Sequence, residues 1–285
     1  MRCRYSVGLI IACFVLAGCG VNLSAVGDFA KESSLISSNK AMLDDTAAQT
    51  EIREYDVENG IQNNNFIDPA SKEFTDRLAV TNSALEALNG YMNVLAQLSA
   101  NGVANVSSEF STIGTALKKL NVTDPAVQPG LNATSAMVNI LLDAAVRNDI
   151  EKLIRASAAP VDQITAYLVD QAQTTSNTYN QAIAVNDKYW GDLTHQTSED
   201  AKFCKRVNLC KPVYVLTNRA RNADRTDLSA KAAAADAAVV AFQKIRSDNA
   251  ALVANVDHLD AAALIAILKS DEPDLLTAIY NLKAL

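Results

Sequence analysis

Residues 74–99 read FTDRLAVTNSALEALNGYMNVLAQLS, and the fold class turns on them. Phe74, Leu78, Thr81, Leu85, Leu88, Met92, Leu95 and Ser99 recur in alternating steps of four and three. That spacing puts them on one stripe of a helix, and the seven-residue rhythm keeps the stripe against partner helices, as in a bundle or coiled coil. About thirty residues at 1.5 Å per residue make a helix roughly 45 Å long. Asp68-Pro69 ahead of it reads as an N-cap followed by proline at the first helical position. Asn101-Gly102 interrupts the stripe, which resumes out of phase at Val106, Phe110, Ile113, Leu117 and Leu120. Either a turn separates two antiparallel helices or one long helix carries a stutter; the break is the favoured alternative.

The same grammar extends in both directions. An earlier helix is expected from about Ser24 to Glu58, ahead of Gly60 and the polar run Gln62-Asn63-Asn64-Asn65. Later ones are expected from Leu131 to Ala156 with a kink near Asn148-Asp149, and from Pro160 to Tyr189. The longest candidate runs from Val213 to Val256, with a stripe of mostly small residues: Leu216, Ala220, Ala223, Ala230, Ala234, Ala237, Ala241, Ile245 and Leu252. Asp227 falls on that stripe and contradicts it. Two short helices, Asp260–Lys269 and Pro273–Ala284, close the chain. No sustained alternation of apolar and polar residues marks a strand. Long helices with short connections must bury their stripes on one another, so the expected fold is all-α, an elongated antiparallel bundle of long helices.

The N-terminus carries a different message. Arg2 and Arg4 precede an apolar core, Val7 to Val15, and small residues lead to Leu16-Ala17-Gly18-Cys19. This is the layout of a cleaved export signal, too short to span a bilayer. The four residues resemble the lipobox of bacterial lipoproteins. The resemblance covers about a twentieth of the chain. It implies a diacylglycerol on the Cys19 thiol, cleavage just before it, and acylation of the new N-terminus. Residues 1–18 are then signal, 19–27 a lipidated start and short tether, and 28–285 the bundle. Two or more acyl chains hold a protein firmly on a membrane. In the lipoprotein family of many Gram-negative bacteria an aspartate after the cysteine retains the protein in the inner membrane. Gly20 stands there instead, so the expected address is the outer membrane, facing the periplasm.

Composition agrees with export. Loss of residues 1–18 leaves 267 residues, with 23 basic against 32 acidic, and shifts the net charge from −7 to −9. An acidic exported chain is a poor partner for nucleic acid. Cys204 and Cys210 remain after Cys3, Cys13 and Cys19 are accounted for. In an oxidising compartment they are expected to pair. Six helical residues would hold their Cα atoms about 9 Å apart, too far for a disulfide, so pairing requires a loop, with Pro212 beyond it. The alternative is two inert thiols.

Three stretches bear on function. Lys202, Lys205, Arg206 and Lys211, continued by Arg219, Arg221 and Arg225 and opposed only by Asp224, form a basic segment on an acidic protein. It suits phospholipid headgroups, lipopolysaccharide or an acidic partner; its plainer reading is a solvated loop and helix start. Residues 171–181 (QAQTTSNTYNQ) are polar all round a helix that is otherwise amphipathic, either a small-ligand site between helices or a loosely packed section. Residues 230–241 (AKAAAADAAVVA) resemble a membrane-inserting stretch, but Lys231 and Asp236 favour core packing. His195 and His258 sit in no metal-ligand spacing, and no nucleophile elbow or P-loop occurs. No catalytic, metal or cofactor residue is assigned. The expected function is an envelope scaffold, not an enzyme, anchored through Cys19 and docking an envelope protein. The alternatives are a ligand-sensing or ligand-carrying bundle and a membrane-active helical protein or its neutraliser. Nothing in the sequence sets the oligomeric state.

Overall fold

The computed structural model describes residues 23–58, 68–102, 104, 109–120, 122, 124–143, 149–203 and 207–282, with backbone alone for 58, 101, 109, 110, 194, 196–203 and 207–212. In chain order the elements are α1 (Ser24–Ser37), a 3-10 turn (Lys40–Leu43), α2 (Thr46–Glu58), α3 (Lys72–Asn101), α4 (Glu109–Leu117), α5 (Gln128–Leu142), α6 (Ile150–Phe203), α7 (Val207–Ala254), a second 3-10 turn (Val256–His258) and α8 (Ala262–Leu282). Among the described residues there is no strand; the protein is all-α.

The 54 residues of α6 and the 48 of α7 make rods of about 81 and 72 Å. They pack antiparallel over much of their length. Arg155 pairs with Asp257 near one end and Arg225 with Asp187 toward the other. Over those 32 residues of α6 the returning chain steps back by the same 32, so the register does not slip. On α7 the buried seam is Leu228, Ala232, Ala235, Ala238, Phe242, Ile245, Asn249 and Leu252, in steps of four and three. A second buried row, Ala234, Ala241 and Asp248, repeats every seven residues.

The other helices gather round the inner half of this pair. Ser71 Oγ accepts the Phe74 N–H at 3.1 Å and starts α3. Gly102, at φ 67°, ends it by donating its N–H to the Leu98 carbonyl. Leu85, Leu88, Met92 and Leu95 are buried as the sequence stripe requires, and Val80, Ala84, Ala87, Tyr91, Val94 and Leu98 are buried as well. The helix α3 therefore has packing on several sides, against α1, α5 and α6. Each large apolar side chain fully buried in this way contributes about 1.5–3 kcal/mol.

Cross-links give the direction of each helix. The hydroxyls of Thr81 and Tyr167 meet at 3.0 Å, and the Tyr91 hydroxyl donates to Asn249 Oδ1 at 2.8 Å. Gly27 lies against Ser99 and Ser34 Oγ donates to Asn89 Oδ1 at 2.7 Å, so α1 runs antiparallel to α3. Leu23 thus stands beside the C-terminal end of α3, at the base of the body. From there α1 leads away, and α2 continues outward along α6, with Tyr179 OH donating to the Asp44 carbonyl and Asn186 Nδ2 to Glu51. A buried ion pair, Arg77 Nη2 to Asp45 Oδ1 at 2.7 Å, ties the start of α2 to α3.

Several expected boundaries are corrected. The single helix from Ser24 to Glu58 is broken, because Asn39 accepts the Ala41 N–H and Asp44 accepts the Thr46 N–H. The expected tether is shortened, since α1 already begins at Ser24. The expected helix from Leu131 to Ala156 is replaced by α5, ending at Leu142, and α6, where Asp149 accepts the Lys152 N–H. Those bonds hold the Asp149 carboxyl below its ordinary value. Pro160 and Pro273 lie inside α6 and α8 instead of bounding them. Each removes one rung of hydrogen bonding, and packing on both sides carries the helix through. Ser71, not Asp68, caps α3. On α7, Leu216, Ala223 and Ala230 are exposed, because the buried seam begins only at Leu228 and runs through Ala235, Ala238 and Phe242, a face offset from the sequence stripe.

Gly130 records how tightly α5 lies on α6. A Cβ there would sit 2.7 Å from the ring of Tyr167, and that ring is held by Thr81. Gly130→Ala is expected to cost about 1–3 kcal/mol by overpacking, read as a lower urea midpoint with unchanged slope.

Candidate functional site: a helical arm

The outermost part of the α6–α7 pair has a different character from the body. A small cluster of Ala48, Ile52, Tyr179, Ala182, Leu228 and Ala232 joins α2 to the pair. Beyond Asn186 on α6 and before Leu228 on α7, none of the described side chains is fully buried. The two helices leave the body here as an arm, with α6 extending about 24 Å from Asp187 to Phe203.

The root of the arm is held by polar groups. Asp187 receives Arg221 at 3.2 Å and Arg225 at 3.6 Å. Lys188 reaches Tyr55 of α2, 5.6 Å above its ring, and the hydrogen bond to the phenol raises the lysine pKa. Pairs of this kind near the surface stabilise only weakly. Farther out, Tyr189 packs edge-on to Trp190 at 5.5 Å. Val213, Val215, Leu216 and Tyr189 are exposed, Leu216 by 61%. Helices draw most of their stability in proteins from burying one face, and this arm has apolar residues without a face to bury.

The sequence-derived residues fall as follows. Cys19, Cys204, Lys205 and Arg206 lie outside the described residues. For Lys202, Cys210 and Lys211 the backbone alone is described: Lys202 is in the last turn of α6, and Cys210 and Lys211 are in the first two turns of α7. Both long helices run past their expected ends at Tyr189 and Val213, α6 to Phe203 and α7 from Val207. The cysteine pairing itself lies outside the described side chains. Within the basic segment, Arg221 and Arg225 are engaged by Asp187 of the facing helix. Sequence reading missed this because Asp187 is remote in the chain.

One side of the polar stretch 171–181 faces inward, while Gln173, Thr174, Asn177, Asn180 and Gln181 are exposed. Gln171, Thr175, Ser176, Thr178 and Tyr179 are buried. Ser176 Oγ donates to Asp236 Oδ1 at 2.6 Å, and Thr178 Oγ1 to the Thr174 carbonyl at 2.9 Å. Burial, then the nearby Asp44 and Asp45, push the Tyr179 phenol far above its ordinary value. These groups pack the join between α2 and the long pair. Two open clefts lie elsewhere: one of about 420 Å³ over Arg77, between the start of α3 and residues 122–127, and one of about 370 Å³ between α1 and the end of α3.

Comparison with known proteins adds no relative. No family model, curated protein or solved structure matches the chain. Among the described residues, no group of His, Cys, Asp and Glu has the arrangement to hold a metal ion, and no helix is long and apolar enough to cross a membrane. The arm is therefore assigned from its own geometry.

Brief trypsin treatment is expected to cut first within the arm, at Lys188, Arg219, Arg221 or Arg225. The body should stay folded and its fragments associated, read by mass spectrometry before and after denaturation. First cuts in α3 or α5 would contradict the assignment.

Proposed function

We propose that the protein is an outer-membrane-anchored periplasmic lipoprotein that acts as a helical scaffold and offers its arm to another envelope component. The observation that supports this most is the position of the chain start. Leu23, four residues after Cys19, lies at the base of the body, whereas the arm leaves the opposite end. With Cys19 lipidated, the body stands on the membrane and the arm points away from it. From Ile150 to the chain reversal α6 spans about 81 Å, so the basic arm reaches well clear of the headgroups in which the anchor sits. An envelope protein then fits the arm better than the anchoring lipid does. The exposed apolar residues give such a protein something to bury, and the basic residues steer an acidic surface toward them. Cys204 and Cys210, if paired, staple the tip.

A photo-cross-linking residue at Leu216 is expected to give a discrete protein adduct in the native cells, whereas one at the exposed Tyr280 of the body is not. Adducts of equal pattern at both positions, or lipid alone, would overturn the arm as the docking element. Cys19→Ala is expected to leave the arm chemistry intact and release the protein from membranes. Continued attachment without a lipid label would remove the anchor from the proposal.

A further inference from the structure

Asp248 continues the buried row of Ala234 and Ala241 on α7, where a third small residue would fit the pattern. Its side chain is 0% exposed, and neither carboxylate oxygen receives a hydrogen bond. An ionised carboxylate in such a place lacks both water and a donor, and is strongly disfavoured.

The surrounding groups make ionisation harder still. From α8, Asp271 faces Asp248, with Asp274 beyond it. From α1, Glu32 adds a third carboxyl. The ammonium of Lys244, one turn away on α7, is already engaged, at 2.7 Å from Asp271 Oδ1 and 3.3 Å from Asp274 Oδ2. On the α3 side the Tyr91 hydroxyl goes to Asn249. On the α6 side Arg246 is held by Asp162, with Nε to Oδ1 at 2.6 Å. Along the same α1–α8 seam, Glu32, Asp28 and Glu272 line a gap of about 20 Å³ with Lys269 at its edge. A protonated Asp248 can donate a hydrogen bond to the Asp271 carboxylate that Lys244 pairs with, whereas an ionised Asp248 can only repel it.

We propose that protonated Asp248 forms a pH-operated latch with Asp271, in which the Asp248 proton holds α8 on α7 and its loss loosens α8 from the body. The Asp248 O–H bond breaks, its proton forms a new O–H bond to bulk water, and two carboxylates are left facing each other across the helix interface. The site controls α8 because α8 follows the long pair through a short 3-10 turn and docks on α1 and α7. Its far end is tied by the hydrogen bond from Asn39 Nδ2 to the Leu282 carbonyl.

Burial, then the adjacent Asp271 carboxyl, pushes the Asp248 carboxyl from 3.8 up to about 8. Burial, then Glu272, pushes Glu32 from 4.5 to about 7. The docked state therefore binds more protons than the released state between the ordinary carboxylate range and about pH 8. Docking is strongest at the acid end of that window, weakens by about tenfold per pH unit for one linked proton, and levels off above it.

The test is hydrogen exchange of the α8 amides in the full chain between pH 5.5 and 9, corrected for intrinsic rates, with α5 amides as reference. Protection of α8 is expected to fall with rising pH while that of α5 holds. Asp248→Asn supplies a neutral amide that donates to Asp271 as the Asp248 hydroxyl does. It is expected to keep α8 protected at pH 9 and to melt above the wild type there, with a smaller gain at pH 5.5. Wild-type α8 protection that ignores pH would overturn the latch without reference to any variant. So would a folded Asp248→Asn protein that loses protection in parallel with the wild type.

Discussion

The antiparallel seam between α6 and α7 is the constraint on which the rest of the molecule depends. Its α7 side is lined largely by alanine, with Phe242, Ile245 and Leu252 toward the base. Small side chains let two helix axes approach to the short end of the usual 8–10 Å range, and alanine also favours the helix itself. Everything else is added to the flanks of this pair. The helices α1, α3, α5 and α8 cover its inner half, and α2 extends that cover a few turns outward. Where the cover stops, the core stops.

Polar contacts then distribute specificity over the apolar frame. Arg77 and Asp45 are both buried and form one pair. Such a pair returns little net stability once the desolvation of both charges is counted, but it is costly to break on one side only. It fixes where α2 begins against α3, as the Thr81–Tyr167 and Tyr91–Asn249 bonds fix the height of α3 against the long pair. Asp248 departs from this rule, since it is buried without a donor.

The sequence made the helical class and α3 legible because a seven-residue rhythm bounded by Asp68-Pro69 and Gly102 is a local signal. It misplaced boundaries wherever distant packing overrode a local rule. Pro160 and Pro273 read as breakers, yet both helices pass through them because neighbours hold each side. Conversely Asn39, Asp44 and Asp149 break helices through their own side chains, a signal present in the sequence but hidden among many similar residues. The arm was legible as a basic segment, not as a projection. That required knowing that α3 and α8 end their cover before the pair ends. Asp248 was legible in principle, as an acid at the third position of a row of alanines spaced by seven. Continuing the stripe from Ala241 to Ile245 and Leu252 steps past it.

The absence of fully buried side chains among those described between Asp187 and Asp227 has a consequence for variation in the protein. In the body, a change at Leu85 or Phe242 is first a change in folding, and few replacements survive it. At the described arm positions the folding requirement is nearly silent, since substitutions there alter only exposed or half-exposed groups. That stretch can diverge quickly without loss of the fold. Any position in it that resists change is then held by what the arm touches, so the pattern of variation along these forty residues is itself a record of the partner.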